Sequence, residues 1–132
     1  MFNVGDSKTL HVRVTRSDIV RYAGASTDFN EIHYSDYHAK ALGLPGVVAH
    51  GMWTMGAGLR IICDWVEDPA RISHYFVRFT KPVVVPDTPE GAEVVFTATV
   101  TEITDMVARI NLTAECDGEK VLGNAKVEVR ID

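Results

Sequence analysis

The sequence predicts an α+β protein in which an antiparallel sheet wraps around one long central helix. Three observations predict it. Residues 51–66 are one apolar stretch, long enough for about four helical turns. Beyond Pro69 the chain is β-rich, with turn residues between its segments. An antiparallel sheet with one apolar face must be covered, and the only sufficiently apolar cover is the stretch that begins at Gly51.

In chain order, Lys8 to Val14 alternates, with Leu10, Val12 and Val14 on one side and His11 and Arg13 on the other, as in a half-buried strand. Thr15 and Asp18 form a capping pair. The helix they open takes Ile19, Val20, Tyr22 and Ala23 as its apolar face and is expected to end at Gly24. Ala25 to Tyr34 is polar and without period, so it reads as an ordered loop, the kind of segment in which function concentrates. A short helix from Asp36 to Leu42 is broken by Gly43-Leu44-Pro45-Gly46.

From Gly51 to about Val66 the only central charge is Arg60, which indicates a buried helix. Gly56, Ala57 and Gly58 would let strands approach its backbone. Four strands follow, Ile72 to Phe79, Ala92 to Ile103, Met106 to Cys116 and Lys120 to Ile131. Turns at Thr104-Asp105 and Asp117-Gly118 make an antiparallel meander. The alternative layout sets the helices side by side on the sheet as a two-layer sandwich.

The chain has 132 residues, which suits one domain over 1–132. Hydrophobic residues make up 46% and charged residues 23%, a globular balance with no run long enough to span a membrane. The N-terminus, Met1-Phe2-Asn3-Val4-Gly5-Asp6, lacks the features of a signal peptide, so a cytosolic protein is expected. Cys63 and Cys116 stand far apart without ligand spacing and read as reduced thiols. The net charge of −5, with scattered Lys and Arg, excludes the basic footprint of a nucleic-acid binder but leaves room for an anionic ligand.

The chemistry-bearing segment is Tyr22-Ala23-Gly24-Ala25-Ser26-Thr27-Asp28-Phe29-Asn30-Glu31-Ile32-His33. A carboxylate, a carboxamide and an imidazole fall within six residues of a loop, where they can converge. Two readings are open from spacing alone. Asp28 and Asn30 cap turns while His33 is satisfied nearby, or the trio holds a water that the carboxylate and a neutral imidazole deprotonate.

Together with the downstream Val48-Ala49-His50-Gly51-Met52, that segment closely resembles the hydratase-2 motif of MaoC-like (R)-specific enoyl-CoA hydratases and (3R)-hydroxyacyl dehydratases. Val77-Arg78-Phe79-Thr80-Lys81-Pro82-Val83 is a third, partial match. Within the family the likeness is greatest to catalytic subunits of actinobacterial (3R)-hydroxyacyl-ACP dehydratases. The resemblance implies a hot-dog fold. It also implies reversible hydration of trans-2-enoyl thioesters to (3R)-3-hydroxyacyl thioesters, carried on coenzyme A or acyl-carrier protein.

By the same resemblance, Asp28 and His33 activate the water, Asn30 supports their loop, and the Gly51 amide is the oxyanion donor. A glycine at a helix start offers an uncapped amide at the positive end of the dipole, and it also permits close packing there. One departure is Glu31, where the family usually has proline; it is expected to face solvent. A second is the longer turn Pro86 to Gly91.

Phe29, Trp53, Met55, Leu59 and Ile62 are candidates for the acyl tail, although such a stripe is first of all core. Arg60, Arg78 and Lys81 are candidates for the carrier's phosphates. His50 is expected to shape the entry to the helix, and His11, His38 and His74 to be structural. No HExxH, GxGxxG, P-loop or GxSxG occurs, so no metal or redox cofactor is expected. The rival readings are a hot-dog acyl-thioesterase and an acyl-binding subunit of a heterodimeric dehydratase. Hot-dog units usually pair into a continuous sheet, so a homodimer or heterodimer is expected.

Overall fold

A computed structural model describes residues 2–132. The chain runs β1 (Ser7–Val14), α1 (Arg16–Ser26), a 3-10 turn (Glu31–His33), α2 (Asp36–Ala41), α3 (Gly51–Trp65), a second 3-10 turn (Pro69–Arg71), β2 (Ile72–Phe79), β3 (Ala92–Thr104), β4 (Val107–Cys116) and β5 (Glu119–Arg130). All pairings are antiparallel, in the order β1-β3-β4-β5-β2. Strands β3 to β5 form the expected meander. Strand β2 joins its far side, pairing Phe79 with Leu122.

The sheet wraps α3 in the hot-dog arrangement. Val94, Phe96, Ala98 and Val100 of β3, Ile110 and Leu112 of β4, and Val127 and Val129 of β5 build the inner face of the core. Gly58 is the point of closest approach. A Cβ there would lie 2.9 Å from Leu112 and 3.0 Å from Phe96, so a larger residue would push the helix off the sheet. Gly56 has no such contact; of the small residues read as close-packing, Gly58 clearly plays that part and Gly56 does not. Tyr75 of β2 ties the helix down by donating to the Met55 carbonyl at 2.7 Å.

Four local expectations need correction. Helix α1 continues past Gly24 to Ser26 and stops at Thr27, whose φ of 61° breaks the helical hydrogen-bond pattern. The capping box of Thr15 and Asp18 opens it as expected, but Val20 is exposed and the buried face is Ile19 and Ala23. The loop Ala25 to Tyr34 therefore begins as helix and contains the 3-10 turn at Glu31–His33. The hairpin turn after β3 is Asp105-Met106, both with positive φ, closed by the pair Thr104 and Val107. The β-branched Thr104 stays in the ladder, where it fits better than at positive φ.

The fourth correction concerns α3, which the sheet buries on one side only. Thr54, Gly58, Ile61 and Ile62 face inward, while Met52, Gly56 and Arg60 are exposed. The turn Asp117-Gly118 falls where its residues place it. No helix among the described residues is long and apolar enough to cross a membrane.

The segment before α3 is held on two sides. Val85 donates to Val47 and Ala49 to Val83, both at 2.9 Å, and Val48 donates to Ile32 at 3.1 Å. Asp36 adds a junction. Its carboxylate takes Arg16 at 3.0 and 3.2 Å and the Val47 amide at 2.9 Å, while Arg16 Nε reaches the Val85 carbonyl. Those donors hold the Asp36 carboxyl below its ordinary range, the Val47 amide first and Arg16 next. Helices α1 and α2 and the Val47–Ala49 segment are thus locked in place around the loop that carries Asp28 and His33.

Candidate active site

A chain of side-chain-to-backbone bonds shapes the loop after α1. Ser26 Oγ accepts from the Asp28 amide, Asp28 Oδ1 from the Asn30 amide, and Asn30 Oδ1 from the Ile32 amide, each at 3.2 Å. These are the local bonds that short polar side chains offer in turns. Asn30 thereby caps the 3-10 turn that delivers His33 inward. With Oδ1 engaged, Asp28 presents Oδ2 to the imidazole.

His33 is buried, and its Nδ1 lies 2.7 Å from the Val48 carbonyl oxygen. A carbonyl only accepts, so Nδ1 carries the proton and Nε2 is left with a lone pair. Nε2 stands 3.7 Å from Asp28 Oδ2. Burial lowers the His33 pKa below its ordinary value and His50 adds to the lowering, against the Val48 hydrogen bond and the Asp28 charge, which raise it. The neutral ring and the carboxylate are then two acceptors face to face, an arrangement relieved by a molecule that donates a hydrogen to each.

Beneath His33 lies His50, with ring centroids 3.7 Å apart and planes at 20°. His50 Nε2 donates to the Asp28 main-chain oxygen at 3.0 Å, and Tyr22 packs against the same ring. One ligand atom from each of Asp28, His33 and His50 lies within 4.8 Å of the others. Stacked rings hold their lone pairs in nearly parallel planes, and each ring already donates one nitrogen to a carbonyl. Each donation leaves the ring's other nitrogen as an acceptor, and His33 Nε2 with Asp28 Oδ2 forms a pair that a shared hydrogen donor can satisfy.

Gly51 is the first residue of α3, and no side chain caps that helix end. Gly51 lines two cavities. One, of about 380 Å³, is lined by His33, Ile32, Thr54, Pro82 and Val121, with Lys81 among its lining residues. The other, of about 450 Å³, is lined by Asp28, His50, Tyr22, Ser26 and Met52. Phe79 borders both, its ring 3.1 Å from where a Gly51 Cβ would stand.

Asp28, His33 and Gly51 thus converge on these cavities, with Asn30 supporting the loop from behind. The acyl-tail candidates do not. Phe29 is 61% exposed, Ile62 is wholly core, and Met55 and Leu59 are half-buried on α3 outside both cavities. Trp53 lines a shallow groove with Val12 and Tyr22. Sequence reasoning missed Thr54 and Phe79. The signal for Thr54 was a lone hydroxyl on an apolar helix, now 3% exposed at the His33 cavity. Glu31 is exposed and pairs with His38 at 2.9 Å. Cys63 and Cys116 are free thiols, and burial raises the Cys116 pKa.

A family model described as MaoC like domain matches residues 5–116. Over 77 residues the chain is 44% identical to 3-hydroxyacyl-thioester dehydratase X of Mycobacterium tuberculosis, covering 58% of this chain and 26% of that protein. A solved structure of a MaoC-like dehydratase superposes with a TM-score of 0.94 at 36% identity, over 99% of this chain and 41% of that one. This chain therefore spans about a quarter and two fifths of those two relatives. The (R)-hydratase from A. caviae involved in PHA biosynthesis superposes with a TM-score of 0.86 at 19% identity, over 99% and 98% of the two chains, a likeness of fold. By its matched residues, the chain belongs to the MaoC-like domain family.

Proposed function

We propose that this chain is a hydro-lyase that interconverts trans-2-enoyl and (3R)-3-hydroxyacyl thioesters. The observation that carries the reading is the pair of facing acceptors, His33 Nε2 and Asp28 Oδ2, 3.7 Å apart, each lining a cavity that Gly51 also lines. A water donating one hydrogen to each turns its oxygen lone pair toward the substrate. His33 takes one proton as the water oxygen bonds to C3, and the pair returns a proton to C2. Dehydration retraces the path.

As the new bond forms, negative charge moves onto the thioester oxygen. The uncapped Gly51 amide, at the positive end of α3, is the donor we assign to it; such a donor is worth about 3–4 kcal/mol in the transition state. The acyl tail, carried on coenzyme A or an acyl-carrier protein, enters the apolar cavity beside His33. The mycobacterial relative's name, a 3-hydroxyacyl-thioester dehydratase, supports this substrate class. The sheet ends in two open edges, β1 and β2, and we infer that one of them pairs with a second hot-dog unit, identical or not. The free thiols fit a reducing, cytosolic setting.

The test is loss of enoyl-thioester absorbance with crotonyl-CoA and a longer trans-2-enoyl-CoA, followed by chiral analysis of the product. The reading predicts (3R)-3-hydroxyacyl-CoA. Release of free thiol without hydration would replace it with a thioesterase, and acyl-thioester binding without turnover would replace it with a subunit that needs a partner.

A further inference from the structure

We propose that His50 is a positioning residue for the Asp28 and His33 pair, an inference that rests on the hydro-lyase reading. Its ring is 2% exposed and touches both members at once. It donates through Nε2 to the main-chain oxygen of Asp28 at 3.0 Å and stacks under the His33 ring at 3.7 Å. The donation spans 22 residues, joining the start of α3 to the loop after α1.

Packing alone does not call for an imidazole here. His50 makes no side-chain cap for α3, and its Nδ1 is buried without a hydrogen-bond partner. A buried polar atom left unpaired is a penalty that phenylalanine would avoid in the same space. What phenylalanine lacks is the donor to Asp28. That donor fixes the Asp28 carbonyl, and the Ser26 and Asn30 bonds fix the residue on either side, so the direction of Oδ2 follows from the backbone. The same ring supports the plane in which the His33 Nε2 lone pair lies. Both halves of the pair are referenced to one rigid group, which keeps their 3.7 Å separation through turnover.

The experiment compares wild type, His50→Phe and His50→Gln as full chains in the enoyl-CoA hydration assay, with folding followed by circular dichroism and Tm. His50→Phe is expected to lower kcat by about ten- to a hundredfold, with KM changed by less than about twofold, because misplacement affects the reacting geometry more than binding. His50→Gln, whose amide can reach the Asp28 carbonyl, recovers most of that loss. Wild-type kcat in a folded His50→Phe, or equal losses in both variants, overturns the proposal.

Should His50→Phe not fold, wild-type ring nitrogen NMR decides. A protonated Nε2 with an unprotonated Nδ1 on His50 is expected, and the opposite tautomer overturns the proposal. An inert wild type with the expected tautomer refutes the hydro-lyase reading and, with it, a positioning role in turnover, while leaving the geometry standing. An active wild type with the wrong tautomer or an unaffected His50→Phe refutes the positioning role alone.

Discussion

His33 Nδ1 donates to the Val48 carbonyl oxygen at 2.7 Å, and Val48 in turn donates its amide to Ile32, the residue before His33. The imidazole and its backbone are held by the same residue, fifteen positions away. This reciprocal contact selects the tautomer and therefore decides which ring nitrogen faces Asp28.

The acid limb of activity should fall below 6.5, the ordinary value for an imidazole. Burial, helped by His50, disfavours the charged ring in the folded protein. The unfolded chain takes up this proton more readily, so stability from this group is present above 6.5 and is lost as pH falls from 6.5 toward the folded value. A plot of log kcat/KM against pH checks the activity, with Tm measured alongside. A bend at or above 6.5 would contradict the neutral-ring account.

Gly51→Pro should fold and yet lose activity. Proline suits the first position of a helix, and the preceding His50 already has the extended backbone that proline requires, with φ −61° and ψ 134°. What disappears is the amide hydrogen assigned to the oxyanion, so kcat should fall by about a hundred- to a thousandfold. Gly51→Ala keeps that hydrogen and asks only the half-exposed Phe79 ring to shift, so its kcat should stay within a few fold. Equal kcat in the two variants would remove Gly51 from the mechanism.

Gly58→Ala should destabilise the protein although alanine is the better helix former. A methyl 2.9 Å from Leu112 and 3.0 Å from Phe96 overpacks the one place where α3 lies tightest on the sheet. The net cost expected is about 1–3 kcal/mol, read from urea unfolding. Gly56→Ala, with nothing within 4 Å of its Cβ, is the control and should be neutral or stabilising.

Much of this arrangement is legible in the residues themselves. Thr15 with Asp18, the alternation of Leu10, Val12 and Val14, and Asp117-Gly118 are local signals, and the structure uses each locally. Asp28, Asn30 and His33 were visible as a polar cluster because they share one loop. The stop of α1 at Thr27 was not visible, because the residue that takes the left-handed conformation is a threonine and not the glycine that usually signals it. The one-sided burial of α3 depends on which strands cover it, and composition gives no such information. The contact of His50 with the Asp28 carbonyl and the place of Phe79 beside Gly51 are tertiary facts, joining residues 22 and 28 apart. Chain spacing could not show them, and the acyl-tail candidates drawn from the α3 stripe missed the cavities for the same reason.

The central claim is that Asp28 and His33 act on one water. The most direct test is a cycle of Asp28→Asn, His33→Ala and the double variant, assayed by hydration of trans-2-enoyl-CoA. Each single variant should lose about a hundredfold or more in kcat/KM, as loss of acid-base catalysis implies. The double variant should be scarcely worse than the poorer single, because groups that act as a unit are not additive. Folded single variants that keep activity within a few fold of wild type, or losses that multiply in the double, would contradict the account.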